Sequence, residues 1–292
     1  MKISFILAVS AIVGLVSCNK TGVISDREES LLVAFSLGGP AFTADVVTKA
    51  AAVTQDNLNA FNVAAATGTA GSADVNVWNC AFTKTGSVFT SDKVWPNTNP
   101  GYHFYASNAA LTLGASGATV AATDATDVVC AYLPAGEVGY KSTNTLSFEH
   151  IFARVGETTV NASAGYTLSG VSITLVPRTG GTYNLFSGAG KTDGTGWSSV
   201  SNGSATGIAN ATGGTKANDI YLVPGTYELT ASWTATKGDY TQTFTDRKKS
   251  VTIVGGKVNK ISTTLGGGAE DIIFSISVSE WGENNIPVNF DI

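Results

Sequence analysis

Two histidines, three cysteines and a scatter of carboxylates are the groups with which this chain of 292 residues could do chemistry. His103 and His150 each stand inside a strand pattern with aromatic neighbours, in YHFYAS and FEHIF. Either can serve as a base or a metal ligand, yet a strand histidine that is simply hydrogen-bonded, or faces solvent, accounts for both. The cysteine spacing is far from a zinc pattern, no glycine-rich loop precedes a helix, and neither a nucleophile elbow nor HExxH occurs. Glu270 and Asp271 adjoin just before a strand as a turn cluster, and the remaining carboxylates nominate no general acid and base pair. The residues thus point to no catalytic centre, no metal site and no cofactor, and the expectation is a protein that is not an enzyme.

Two other residue types invite a binding role. Trp78, Trp95, Trp197, Trp233 and Trp281 could stack on pyranose rings, Trp197 being the most exposed because it stands in a polar stretch; tryptophans of a β-sandwich otherwise pack in the core or at its rim. Cys18 follows a positive Lys2, an apolar run from Ile3 to Val16 that is too short to span a bilayer comfortably, and the small Ser17. Residues 1–17 therefore read as an export signal. Leu15, Val16, Ser17 and Cys18 resemble a bacterial lipobox, in which Cys18 takes the lipid. Cys80 and Cys130 remain, and in an oxidising compartment they either pair or stay as buried thiols, a choice their spacing does not make.

The elements that must position these groups are strands. A composition of 43% hydrophobic and 13% charged residues supports a substantial core, and 33 glycines against a single methionine favour short strands joined by turns. The fold class expected is all-β. A formal net charge of -5, with 17 Lys and Arg in all, leaves no basic surface for nucleic acid.

After a polar tether over residues 18–30, LLVAFSL places Leu31, Val33, Phe35 and Leu37 on one face at period two. Gly38 to Pro40 breaks that strand, and Ala41 to Gln55 reads as a loop. Strands follow at 58–65, 74–83, 87–89, 102–106, 118–122 and 128–133, making an N-terminal sandwich over 31–140. A polar passage at 134–144 marks the boundary to a second antiparallel sandwich over 141–292. Its strands fall at 171–176, 183–186, 220–223, 226–234, 240–244, 250–254, 258–265 and 272–278, with a long surface loop from Gly188 to Lys216. Gly255 and Gly256 suit a hairpin between their flanking strands. At the end, Ile286, Val288, Phe290 and Ile292 repeat the apolar face of the opening strand.

A lipobox, an opening strand, TKAAAVTQDNLNAFNVAA at 48–65, VWP at 94–96 followed by YHFYAS, then LSFEHIFARV and IIFSISVSEW, in that order, resemble the fimbrillin family, the type V pilins of Bacteroidales. The resemblance covers almost the whole chain after the signal. It implies two pilin-like β-sandwich domains in series and a lipoprotein precursor at the outer membrane. A trypsin-like protease would cut after a basic residue beyond the first strand, and the C-terminal strand of the next subunit would fill the groove so opened. Carried onto this sequence, the cut falls between Lys49 and Ala50, the displaced strand holds Leu31, Val33, Phe35 and Leu37, and the donor strand holds Ile286, Val288, Phe290 and Ile292. Lys49 departs from the arginine common in the family, so a protease strictly specific for arginine would not cut there. Cutting at Arg27, the other basic residue, would remove the lipid and leave LLVAFSL in place.

Independently of the resemblance, removing a strand with such a face exposes roughly 1.5 to 3 kcal/mol of burial per large side chain together with unpaired backbone groups. A terminal strand with the same face can replace it by strand addition, and because donor and acceptor are different surfaces the assembly runs head to tail. Pairing of both ends within their own chain is the other outcome. The partners expected are thus further fimbrial subunits, the outer membrane through the lipid, the protease, and a host or bacterial surface ligand. A monomeric outer-membrane lipoprotein that binds glycans is the alternative.

Overall fold

The computed structural model describes residues 31–38, 53–267, 273–280 and 288–291. In chain order the first strands are β1 (Leu32–Gly38), β2 (Ala60–Thr69), β3 (Ala73–Thr85), β4 (Val88–Val94), β5 (His103–Ser107), β6 (Thr112–Gly114) and β7 (Gly117–Thr123). Next come β8 (Val129–Leu133), β9 (Thr143–Ser147), β10 (Glu149–His150), β11 (Ala153–Ala162), β12 (Thr167–Leu175), β13 (Arg178–Asn184) and one helical turn, α1 (Leu185–Gly188). The chain finishes with β14 (Trp197–Asn202), β15 (Thr206–Gly207), β16 (Gly214–Leu222), β17 (Gly225–Lys237), β18 (Tyr240–Ile253), β19 (Lys257–Leu265), β20 (Ile273–Glu280) and β21 (Val288–Asp291). The class is all-β and largely antiparallel, as expected.

The first sheet has eight strands in the order β10-β8-β5-β2-β3-β4-β1-β9. Its end strands β9 and β10 are separated in sequence by Phe148 alone, so the sheet curls until its two ends meet along one stretch of chain. Alternation along the strands divides their side chains between two cores. Phe61, Val63 and Ala65 of β2, Phe104 of β5 and Val129 of β8 point inward with Phe35, Phe82, Phe89 and Phe148. Ala64, Ala66, Tyr105 and Cys130, one step out of phase, face a second cluster with Val120, Phe152, Tyr183 and Leu185. Small alanines on the outer side of β2 let a second layer approach closely: the sheet β14-β13-β7-β6, which pairs 180–184 with 119–123.

The third core lies between the sheets β16-β11-β19-β20-β21 and β15-β12-β17-β18. β17 shows why it forms there: Tyr227, Leu229, Ala231, Trp233 and Ala235 are buried while Glu228, Thr230, Ser232 and Thr234 face outward. Trp233 stacks on Phe244 at 4.5 Å and its indole N–H donates to the Gly266 carbonyl at 2.9 Å.

Four local expectations change in the structure. The polar passage at 134–144 leads to β9 and β10 of the first sheet, so that sheet runs on to His150. Two short strands expected at 240–244 and 250–254 are one strand, β18, bulged where Asp246 takes φ 51°. Gly255 and Gly256 do not close a hairpin: β18 and β19 belong to different sheets, and Gly256, at φ 64°, turns the chain across from one to the other. The loop assigned to 188–216 contains β14, β15 and the start of β16. β14 lacks an apolar face because it is an exposed edge strand, held by its backbone ladder to β13.

Candidate functional site

β1 lies between β4 and β9, antiparallel to the former (Leu32↔Val94, Phe35↔Phe89) and parallel to the latter (Phe35↔Asn144, Leu37↔Leu146). Both edges of its backbone are therefore in ladders. Val33 and Phe35 are fully buried, and the Phe35 ring meets Phe82 at 5.0 Å and Phe104 at 5.1 Å, both edge-on. Leu37 is half-buried against the same cluster, whereas Leu31 is 44% exposed, so burial on this face concentrates in its two middle residues. The Leu31 carbonyl still holds the chain, accepting from the Trp95 amide at 2.8 Å. Ser36 shares a hydroxyl contact with Thr145 of β9 at 3.1 Å.

On the downstream side the chain is fixed from Val53. Its amide donates to Asp127 Oδ2 at 2.7 Å, and Asp127 Oδ1 meets His150 Nδ1 at 2.8 Å, both side chains being buried. Thr54 and Asn57 then exchange hydrogen bonds, Thr54 N to Asn57 Oδ1 at 2.7 Å and Asn57 N to Thr54 Oγ1 at 3.2 Å, which closes a turn leading into β2. Gln55 Nε2 reaches back to the Leu37 carbonyl at 3.4 Å, tying the end of β1 to this anchor.

Cys18, Lys49, Ala50, Ile286 and Ile292 lie outside the described residues, as does Trp281. Val288 and Phe290 fall in β21, which pairs antiparallel with β20 (Ile276↔Phe290, Val278↔Val288) at the edge of its sheet. The two strands with matching apolar patterns, β1 and β21, thus belong to different sheets.

Each histidine has a buried aspartate partner that the sequence did not reveal. His103 Nε2 is hydrogen-bonded to Asp74, which also accepts from the Tyr105 hydroxyl at 3.2 Å and from the Gly71 amide at 2.8 Å. His150 uses Asp127. Partners 29 and 23 residues away in sequence are brought together by strand pairing, and no local motif signals them. Such pairs fix the strands they join. Cys80 and Cys130 are free thiols; burial raises both, and pushes Cys130 up to about 12 although its hydrogen bond to Ser107 opposes the shift.

The tryptophans offer no stacking platform among the described residues. Trp95 and Trp233 are buried, and Trp78 packs between Phe82 and Phe104. Trp197, expected to be the exposed one, is half-buried with its ring 4.9 Å from Phe152 and 5.4 Å from Tyr183. An aromatic group in a polar stretch found its neighbours through the pairing of β14 with β13. Among the described residues no group of three or more His, Cys, Asp or Glu is placed to hold a metal ion, and no helix is long and apolar enough to cross a membrane.

Comparison with known proteins places this architecture. A family model described as fimbrillin-like matches residues 48–281. A fimbrial protein from Bacteroides vulgatus is similar in structure with a TM-score of 0.52 and 14% identity, over 86% of this chain and 99% of that one. A candidate cell adhesion protein from Parabacteroides distasonis gives a TM-score of 0.53 and 11% identity, over 87% of this chain and 97% of the other. At such identities the likeness is one of fold. No curated protein matches the sequence.

Proposed function

The chain belongs to the fimbrillin-like family, and on that premise we propose that it is a structural and adhesive subunit of a cell-surface fimbria, exported as a lipoprotein and assembled by strand replacement. In this reading Cys18 carries the lipid that holds the precursor at the outer membrane. A trypsin-like protease cuts between Lys49 and Ala50, after which β1 is no longer joined to the fold by the chain and is held by its two ladders and its packing. A terminal strand of a neighbouring subunit, Ile286 to Ile292, then takes the place of β1, presenting Ile286, Val288, Phe290 and Ile292 to the groove.

The observation that supports this best is the setting of β1. Its loss breaks two ladders and exposes the pocket that Val33 and Phe35 fill, at roughly 1.5 to 3 kcal/mol per side chain, so the groove has a strong demand for another apolar strand. The Asp127 hold on Val53 lies on the retained side of the cut and keeps the remaining chain in place as β1 leaves. Because the donor strand and its acceptor groove are different surfaces, each subunit added exposes a new end and the polymer grows head to tail.

Mild trypsin treatment of the purified precursor tests this. We expect a new N-terminus at Ala50 together with ladders that resist mild denaturation, and neither from a Lys49→Ala variant. Ladders of equal yield from Lys49→Ala, or monomers alone after a clean cut at Lys49, would rule the reading out.

A further inference from the structure

The outer face of the sheet β15-β12-β17-β18 carries a cleft of about 520 Å³ whose occupant the fimbrial reading does not supply. Its floor is made by Thr226, Glu228 and Thr230 of β17, which point away from the core because Tyr227 and Leu229 point into it. Asn202 and Ala205, where the chain passes from β14 to β15, line it on one side, and Arg178 at the start of β13 lines it on another.

Arg178 sets the chemistry. Its Nε donates to the Tyr227 hydroxyl at 3.1 Å and its Nη2 to the Pro224 carbonyl at 3.0 Å, with the guanidinium 4.5 Å from the centre of the Tyr227 ring. These neutral acceptors hold the fork rigidly without cancelling its charge, and they use two of its five N–H groups. Among the described residues no carboxylate forms an ion pair with it. The other cation in the cleft, Lys248, is already neutralised by Glu228 at 2.8 Å. The cleft therefore has one fixed, uncompensated guanidinium in a chain of net charge -5. The cleft lining also carries the hydroxyls of Thr226 and Thr230 and the Asn202 side-chain amide, each able to donate and accept, with Val176 offering a small apolar patch.

We propose that this cleft binds a carboxylate-bearing saccharide of the hexuronate kind, its carboxylate forked on Arg178 and its hydroxyls on Asn202, Thr226 and Thr230. A volume within the range of about 300 to 1,000 Å³ usual for small-ligand sites accommodates one or two sugar rings. Recognition rests on charge and hydroxyl pairing, without an aromatic platform. It does not depend on strand exchange, and its test runs on the full chain without proteolysis.

Calorimetric titration with sodium glucuronate tests it, with methyl glucoside and acetate as controls. We expect saturable binding with Kd of about 1 mM, weakened at least about tenfold by Arg178→Gln and by raised salt. Thr230→Trp, which fills the floor and leaves the bracing of Arg178 intact, removes binding as well and decides the matter should Arg178→Gln fail to fold. Absence of saturation by about 20 mM overturns the proposal. So does methyl glucoside or acetate binding as tightly as glucuronate, or a folded Arg178→Gln or Thr230→Trp that binds like the parent.

Discussion

Burial of ionisable side chains gives single residues here a measurable voice in stability. Burial pushes the Cys130 thiol up to about 12, well above the ordinary thiol range. Burial, with the charge of Asp219, pushes the Tyr221 phenol up to about 12 as well, and burial raises Tyr183. In each case the folded state keeps a proton that the unfolded chain gives up at lower pH, so the unfolded state binds fewer protons and stability falls as pH rises. This contribution is whole below about pH 9 and is lost as pH climbs through the folded values near 12. The thermal midpoint should therefore drop steadily from about pH 9 to about pH 11, with a shallower slope in Cys130→Ala. A midpoint that stays flat over that interval would mean these groups are not buried. The histidine partners belong to the same scale. His103 and His150 were legible as strand histidines, either hydrogen-bonded or facing solvent, but the choice between these and the partners Asp74 and Asp127 were not, because a partner 29 or 23 residues away is selected by strand register and by no local spacing.

At the scale of elements, β1 is the strand on which the proposed assembly turns, and its packing can be weighed. Phe35 is fully buried among three phenylalanine rings, so Phe35→Ala in the precursor should cost about 3–5 kcal/mol in urea unfolding. A loss below about 1 kcal/mol would mean that β1 is not seated as described. The period-two pattern of LLVAFSL announced this strand, and the alternation of Tyr227 to Ala235 announced β17. β14 escaped notice for a physical reason: an exposed edge strand needs backbone pairing and no apolar face, so its serine-rich sequence reads as loop. The glycine pair at 255–256 was recognised as a turn, but a turn residue says only that the chain bends. Whether it bends back into its own sheet or across to another depends on which strands the next one pairs with, and Lys257–Leu265 pairs with β11 and β20.

For the whole molecule, the assembly reading makes the chain's two ends unequal. β1 is interior to its sheet with partners on both sides, whereas among the described residues β21 has a single partner strand, at a sheet edge. Deleting residues 286–292 should therefore shift unfolding by no more than about 1 kcal/mol while abolishing ladders after trypsin treatment. Loss of folding on that deletion would mean that the strand is needed within its own subunit and is not free to be donated. Head-to-tail growth also requires that donor and acceptor lie apart on the subunit, in keeping with β1 and β21 belonging to different sheets.

The amino-acid sequence by itself determined that this chain builds antiparallel strands, where most of them run, and that its first and last strands carry matching apolar faces, because alternation is a local property written residue by residue. Tertiary structure alone decided that β1 enters between β4 and β9, that two buried histidines find aspartates, that Trp197 turns inward, and that Arg178 lines a cleft while forming no ion pair with a carboxylate among the described residues. Those outcomes depend on strand order and on which sheet covers which. Both are set by pairings between distant segments competing to bury the same apolar area, and no window of sequence contains that competition.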